Sequence, residues 1–156
     1  MRARYLVLQD GSAYHGYAFG ADNEAVGGEV VFTTANVGYP ESLTDPSYKG
    51  QILVFTSPLI GNYGVSPEQW ESDSIQVNGG AVIFDLTMPS HYTSIMSLNE
   101  WFRREGVPGI YRVDTRALTI KLREVGVMMG AIADSIDGAF RILRDALGMM
   151  ILTSRD

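Results

Sequence analysis

The sequence contains no cysteine and only two histidines, His15 and His91, among its 156 residues. Without cysteine there is no disulfide, thiolate metal ligand, iron–sulfur cluster or cysteine nucleophile. Long apolar runs are also missing: no run approaches the roughly 18 residues that a membrane helix needs, and the run at 5–8 is too short for a signal-peptide core. We therefore expect a cytoplasmic protein with no metal site, and the lack of cysteine fits a reducing compartment.

Positive charge is scarce as well. Twelve Lys and Arg residues stand against eighteen Asp and Glu residues, for a formal net charge of -6. Binding to nucleic acid or to an anionic membrane depends on clustered positive charge, so we expect neither. The composition, 46% hydrophobic and 19% charged, is that of an ordinary globular protein, and the length predicts one domain.

Short apolar runs in the first two thirds of the chain predict β-strands. The run at 5–8 is followed by Asp10-Gly11, a dipeptide that favours a tight hairpin turn. The next segment, 13–19, alternates so that Tyr14 and His15 face opposite sides of a strand. Three further runs are wholly apolar, which predicts strands covered on both faces; they lie within 28–33, 51–56 and 81–84.

The last third predicts helices. Ser97 and Glu100 have the spacing of a capping box, which predicts a helix start at Ser97, and Gly106 and Pro108 predict its end. The apolar face of this helix would be formed by Leu98, Trp101 and Phe102.

Two more helices are predicted further on, separated by short strands at 109–113 and 128–132. Asp114 is a good N-cap for the second helix, which Gly126 ends. Gly148 is expected to end the third helix. The predicted apolar faces are Leu118, Leu122 and Val125 on the second helix, and Phe140, Leu143 and Leu147 on the third. Strands followed by alternating strands and helices predict an α/β domain.

Common catalytic motifs are absent. Neither of the usual glycine-rich phosphate-binding loops occurs. His91 and Asp85 could be imagined as parts of a hydrolase, but no G-x-S-x-G supports a serine nucleophile, and an exposed loop explains them more simply. The segment 114–117 could bind an anion at a helix N-terminus, although an N-cap with Arg116 at the surface is favoured. Two long segments, 34–50 and 57–74, lack periodicity and are the best candidates for a binding surface.

Four segments of the sequence resemble motifs of one protein family. Residues 28–51, GEVVFTTANVGYPESLTDPSYKGQ, and 57–65, SPLIGNYGV, resemble consecutive segments of the small subunit of glutamine-dependent carbamoyl-phosphate synthetase. Residues 113–126, VDTRALTIKLREVG, are similar to that family's "IDTRALTRxLREKG" helix, and YLVLQDG at 5–11 fits its opening. The resemblance covers only the family's N-terminal domain, here residues 1–152, with 153–156 as the start of a junction to a glutaminase domain.

The resemblance implies a three-layer β/β/α swivelling-type fold and a partner role. The domain would dock on the synthetase large subunit and brace the C-terminal glutaminase domain, which releases ammonia from glutamine. The large subunit would use ATP and Mg²⁺ to make carbamoyl phosphate for pyrimidine and arginine biosynthesis. No cofactor is expected on this chain, and no catalytic residue, because the glutaminase nucleophile of the family is a cysteine.

Site residues follow from the same resemblance. Ser47, in the motif LTDPSY, corresponds in that family to a serine of the glutamine pocket. Candidates for the interface are Tyr39, Glu41, Asp45, Tyr48, Asn62 and Tyr63. Pro40 replaces the family's usual glutamine and removes an amide donor, so the docking loop is expected to sit differently. Two alternatives remain open: a free-standing adaptor of the same fold, and an independent hydrolase that uses His91 or Asp85.

Overall fold

Seven strands and three helices are found in the structure, a computed structural model that describes residues 2–22, 25–33, 43–56, 74–77, 79–83, 92–126 and 128–154. The strands are β1 (Ala3–Leu8), β2 (Ala13–Gly20), β3 (Val26–Thr33), β4 (Ile52–Phe55), β5 (Gly79–Ile83), β6 (Pro108–Tyr111) and β7 (Met128–Ala133). The helices are α1 (Tyr92–Glu105), α2 (Thr115–Val125) and α3 (Ile136–Ser154), and a short 3₁₀ helix spans Pro46–Tyr48. The predicted α/β class is confirmed, with strands mainly in the first two thirds and helices in the last third.

The strands form one curled sheet that closes into a barrel in the order β1-β2-β6-β5-β4-β3-β7. The four strands β3, β4, β5 and β6 run parallel to one another, and the remaining neighbours pair antiparallel. Closure comes from β1 and β7, where Leu6 lies opposite Ile132. Every strand of this described barrel therefore pairs with a neighbour on both sides, and the barrel has no free sheet edge.

The barrel interior is filled by alternate residues of the strands, as the two-residue period of a strand requires. Leu118 and Leu122 of α2 join this cluster, so the helix packs over one end of the barrel. The remaining buried members of the cluster are Leu6, Leu8, Val30, Ile52, Val54, Ile110, Val113, Met128 and Ile132.

Two further clusters lie outside the barrel. Trp101 and Phe102 of α1 pack with Phe19, Leu53 and Phe55, which point outward from β2 and β4. On another side, α3 packs against β1, β3 and β7, where its small and apolar side chains meet Val7, Ala131 and Ala133. All four residues of β4 are therefore buried, which confirms the prediction of a strand covered on both faces.

Helix α1 begins at Tyr92, so the predicted start at Ser97 is wrong. A serine with a glutamate three residues later also occurs inside helices, and here the helical residues 92–96 precede it. The predicted end at Gly106 is confirmed. Gly106 has φ 73°, and the amides of Gly106 and Val107 donate to the carbonyls of Arg103 and Phe102, which is a Schellman ending.

Helix α2 begins where predicted, because the Asp114 carboxylate accepts the amide of Ala117 at 3.0 Å. Gly126 follows its last residue with φ 80°. The carboxylate thus occupies the helix N-terminus, which favours the N-cap over an anion site. Val125 is 52% exposed, so its assignment to the buried face is wrong: it lies in the last turn, beyond the end of the barrel core.

Helix α3 continues through Gly148 to Ser154, so the predicted end at Gly148 is wrong. Phe140 is 38% exposed and is not part of the buried face. That face is formed by Ala139 and Leu143, with Leu147 packed at its edge, because the small Ala139 allows the helix to approach the sheet closely. No helix in the described part of the chain is long and apolar enough to cross a bilayer.

Candidate functional site

The turn at Asp45–Tyr48 holds the serine that the sequence singles out. Asp45 caps the turn: its carboxylate accepts the amide of Ser47 at 3.0 Å, and its carbonyl accepts the amide of Tyr48 at 3.0 Å. Pro46 stands at the first helical position, where its missing amide costs nothing and its fixed φ suits the turn. These local bonds hold the backbone at Ser47 in one conformation.

The turn is anchored to the protein on both sides. Before it, Leu43 and Thr44 are completely buried, and the carbonyl of Leu43 accepts the amide of Gln76 at 2.8 Å. After it, the amide of Gly50 donates to the carbonyl of Gln76 at 3.2 Å. Tyr48 packs against the outer cluster beneath α1. The turn is therefore a fixed platform.

Ser47 is exposed at the top of this platform. Its hydroxyl makes no hydrogen bond with any residue that the structure describes, so it can both donate to and accept from a ligand. The other predicted interface residues, Tyr39, Glu41, Asn62 and Tyr63, lie outside the described residues, as do His91 and Asp85. Asp45 and Tyr48 are brought together with Ser47, and a role for them at an interface stays a prediction.

A row of aromatic rings crosses the outer face of β1, β2 and β6, which we call the aromatic strip: Tyr5, His15, Tyr17 and Tyr111. The rings of Tyr5 and His15 are 5.4 Å apart, those of His15 and Tyr17 are 5.1 Å apart, and those of Tyr17 and Tyr111 are 5.9 Å apart. These contacts follow from register, since Tyr5 lies opposite His15 and Tyr17 opposite Tyr111. The strip was not predicted; the alternation that placed Tyr14 and His15 on opposite sides was its only local signal.

Tyr111 and Arg112 meet at the end of β6. Burial raises the pKa of the Tyr111 phenol, and the nearby charge of Arg112 opposes that rise. Arg112 has φ 61°, in the left-handed region that costs a residue with a Cβ about 1–2 kcal/mol. This backbone conformation ends the strand two residues before the predicted limit.

An open cleft of about 320 Å³ lies between β3 and α2, lined by Glu29, Val30, Val31, Phe32, Leu122 and Gly126. Its one carboxylate, Glu29, accepts the side-chain amide of Gln51 at 3.4 Å. The guanidinium of Arg123 stands 5.6 Å from the centre of the Phe32 ring, as in a cation–π contact. Across the described residues, no three histidine or carboxylate side chains come together as a metal site. The described residues of the cleft do not combine a nucleophile with a base.

The comparisons with known proteins agree on one family. A family model described as the CPSase domain of the carbamoyl-phosphate synthase small chain matches residues 6–132. A carbamoyl phosphate synthase small chain of Pyrobaculum aerophilum is 64% identical over 125 residues, which are 80% of this chain and 36% of that protein. That of Pyrococcus furiosus is 62% identical over 137 residues, 82% of this chain and 36% of that protein.

A third small chain, from Methanosarcina acetivorans, is 47% identical over 151 residues, 97% of this chain and 41% of that protein. The chain thus spans little more than a third of the length of the curated relatives that it matches.

Proposed function

Because the chain belongs to the carbamoyl-phosphate synthase small chain family, we propose that it is the non-catalytic domain that joins such a small chain to its partners. It docks on the large subunit of the synthase and braces the glutaminase domain that supplies ammonia. The product is carbamoyl phosphate for pyrimidine and arginine biosynthesis, made in the cytoplasm. In this proposal the large subunit, and not this chain, uses ATP and Mg²⁺.

The observation that carries the proposal is the extent of the match. The CPSase-domain model covers residues 6–132, while the relatives are more than twice as long as the matched part. The chemistry of glutamine hydrolysis in this family is expected to need a cysteine thiolate, and this chain has no cysteine. A serine hydroxyl is a weak nucleophile unless a base activates it. The Ser47 hydroxyl makes no hydrogen bond to a base among the described residues, and the Asp45 carboxylate accepts the backbone amide of Ser47 instead.

Ser47 has a binding role in this proposal. Ser47 is exposed on a turn fixed by Asp45 and Pro46, so its hydroxyl can bind the glutamine substrate held by the glutaminase domain. In an assembled synthase, Ser47→Ala should raise KM for glutamine and leave the ammonia-dependent reaction unchanged. Lys49→Ala, in the same turn, is the matched control and should change neither.

Docking is tested by titrating the purified chain into a purified carbamoyl-phosphate synthase large subunit in a calorimeter. We expect one-to-one binding, and no release of ammonia from glutamine by the chain alone. Failure of the two proteins to bind, in conditions where a complete small subunit binds, would overturn the proposal. So would glutamine hydrolysis by the chain alone, if it were lost on substitution of one of its own residues.

A further inference from the structure

The dipeptide Asp-Gly occurs at residues 10–11 and again at 137–138. Aspartate isomerises readily in this dipeptide, because glycine has no side chain to hinder the approach of its nitrogen. The amide nitrogen of the glycine loses its proton and attacks the carboxyl carbon of the aspartate, and water leaves as a cyclic succinimide forms. Water then opens the ring at either carbonyl. Part of the product is isoaspartate, in which the main chain runs through the former side-chain carboxyl group.

The first of these dipeptides lies in the exposed turn between β1 and β2. The amide of Gly11 donates to the carbonyl of Leu8 at 2.9 Å, and the amide of Leu8 donates to the carbonyl of Ser12 at 2.8 Å. Gly11 has φ 92°, and a Cβ added to it would meet no atom within 4 Å. Hydrogen bonds, rather than close packing, must therefore protect the bond between Asp10 and Gly11.

Both reacting groups are engaged in such bonds. The proton that the Gly11 amide must lose is donated to Leu8. The Asp10 carboxylate accepts a hydrogen bond from Lys121 Nζ at 2.6 Å, and two more from the hydroxyl and the amide of Ser12 at 2.6 and 3.0 Å. These bonds fix the orientation of the carboxylate and lower the pKa of Asp10 to about 2. The neutral acid, which loses water more readily than the carboxylate does, is therefore rare at neutral pH.

We propose that Asp10-Gly11 is a site of aspartate isomerisation that Lys121 keeps unreactive in the folded protein. Of the three donors to the carboxylate, Lys121 alone comes from outside the hairpin, since it lies on α2. When this contact opens, the carboxylate is held by the bonds of its own turn alone. Isoaspartate at residue 10 would add a methylene to the main chain of the turn and move the negative charge, so that the contact with Lys121 could not reform in the same geometry.

The experiment compares Lys121→Met with the wild type during long incubation of both folded proteins at neutral pH. Endoproteinase Asp-N cleaves before aspartate but not before isoaspartate. The fraction left uncleaved before residue 10, measured by mass spectrometry after unfolding, therefore follows the reaction at that site. Lys121→Met should speed the loss of cleavage by about two- to fivefold, the shift that removal of an exposed ion pair gives in a local equilibrium. Wild type unfolded in guanidinium chloride should lose cleavage faster than the folded wild type.

Controls come from the same helix and from the second Asp-Gly dipeptide. Arg116→Met removes an exposed charge from α2 that forms no ion pair with a described residue, and should react like the wild type. Asp137 lies in the first turn of α3, where the amide of Gly138 donates to the hydroxyl of Ser135 at 3.0 Å. Cleavage before Asp137 should therefore be unaffected by Lys121→Met. Circular dichroism identifies any variant that fails to fold, and Lys121→Gln replaces Lys121→Met if that variant does.

Three results would overturn the proposal. One is an equal rate at residue 10 in the wild type and in the folded Lys121 variant. Another is a folded wild type that reacts as fast as the unfolded chain, since the turn would then give no protection. The third is equal acceleration before residues 10 and 137, which would indicate general unfolding. Acceleration at residue 10 alone, with a transient species lighter by one water, would support the succinimide route and its suppression by Lys121.

Discussion

The guanidinium of Arg4, on the first strand, donates a hydrogen bond from Nε to the carboxylate of Asp134, just past the last strand, at 2.9 Å. The same guanidinium donates to the carbonyls of Phe19, Ala21 and Gly109 at 3.0, 3.1 and 2.9 Å. Its side chain is only 2% exposed. One planar fork of donors thus joins β1, β2 and β6 and the end of β7, across the barrel from α2.

We expect Arg4→Met to lower the free energy of unfolding by about 3 kcal/mol or more, because a buried charged network loses its centre. Arg4→Lys keeps the charge but not the fork, and should lose most of that stability too. Asp134→Asn should cost less, since Asp134 is 43% exposed and the three carbonyls keep their donor. Urea unfolding measures all three; equal stability of Arg4→Met and wild type would contradict this account.

Gly109 of β6 and Phe19 of β2 are cross-strand partners that pack closely against each other. A Cβ added at residue 109 would overlap the Phe19 ring, and the centroid of that ring lies 4.9 Å from the centroid of the Phe102 ring. Gly109→Ala should destabilise the protein by about 1–3 kcal/mol through overpacking.

A double-mutant cycle in urea checks the cause. If the overlap with the ring is responsible, Gly109→Ala should cost less in a Phe19→Leu background than in the wild type, by about 0.5 kcal/mol or more. Strict additivity of the two substitutions would mean that the cost of Gly109→Ala arises elsewhere.

The hydrogen bonds of Asp10, in the turn of the first hairpin, make the stability of the protein depend on pH. Its carboxylate accepts from Lys121 at 2.6 Å and from the hydroxyl and amide of Ser12. The bond to Lys121, followed by those to Ser12, lowers the pKa of Asp10 from 3.8 to about 2. A carboxyl whose pKa is lowered by folding stabilises the folded state above its unfolded pKa, and this contribution is lost as the pH falls through the folded pKa.

The stability advantage of the wild type over Asp10→Asn should therefore be constant above about pH 5 and disappear between about pH 4 and pH 2. Urea unfolding of both proteins across this range measures it. Lys121→Met removes the hydrogen bond that lowers the pKa of Asp10 most, so this variant should lose the stability contribution of Asp10 at a higher pH. An advantage that persists unchanged at pH 2 would show that the carboxylate charge is not what stabilises the hairpin.

Most strands were predictable from the sequence because each is marked by a short apolar run, and β2 is marked by the alternation of residues 13–19. The closed barrel was not, because closure depends on pairs far apart in the chain, such as Leu6 with Ile132. The burial of Arg4 was hidden for the same reason: its four acceptors come from residues 19, 21, 109 and 134, and a charged residue near the N-terminus gives no local sign of them.

The ends of the helices show a second limit of prediction from the sequence. The helix start predicted at Asp114 and the helix end predicted at Gly126 are confirmed, since both signals fall where the apolar pattern also changes. The helix start predicted at Ser97 and the helix end predicted at Gly148 are wrong, because a cap signal inside a helix is overridden when residues on both sides continue to be helical. At the candidate site, Ser47 was found only through the family resemblance. The aromatic strip needed the register of three strands, which the sequence does not reveal.

Gly148 and Gly126 provide a matched test of these two readings. Both have open space where a Cβ would be added, but only Gly126 has a positive φ. Inside helix α3, Gly148→Ala should stabilise the protein by about 0.5–1 kcal/mol, because alanine loses less backbone entropy on folding. At the end of α2, Gly126→Ala should destabilise it by about 1–2 kcal/mol, because alanine is strained at φ 80°. Thermal and urea unfolding give both values; destabilisation by Gly148→Ala as large as that by Gly126→Ala would mean that the helix does end at Gly148.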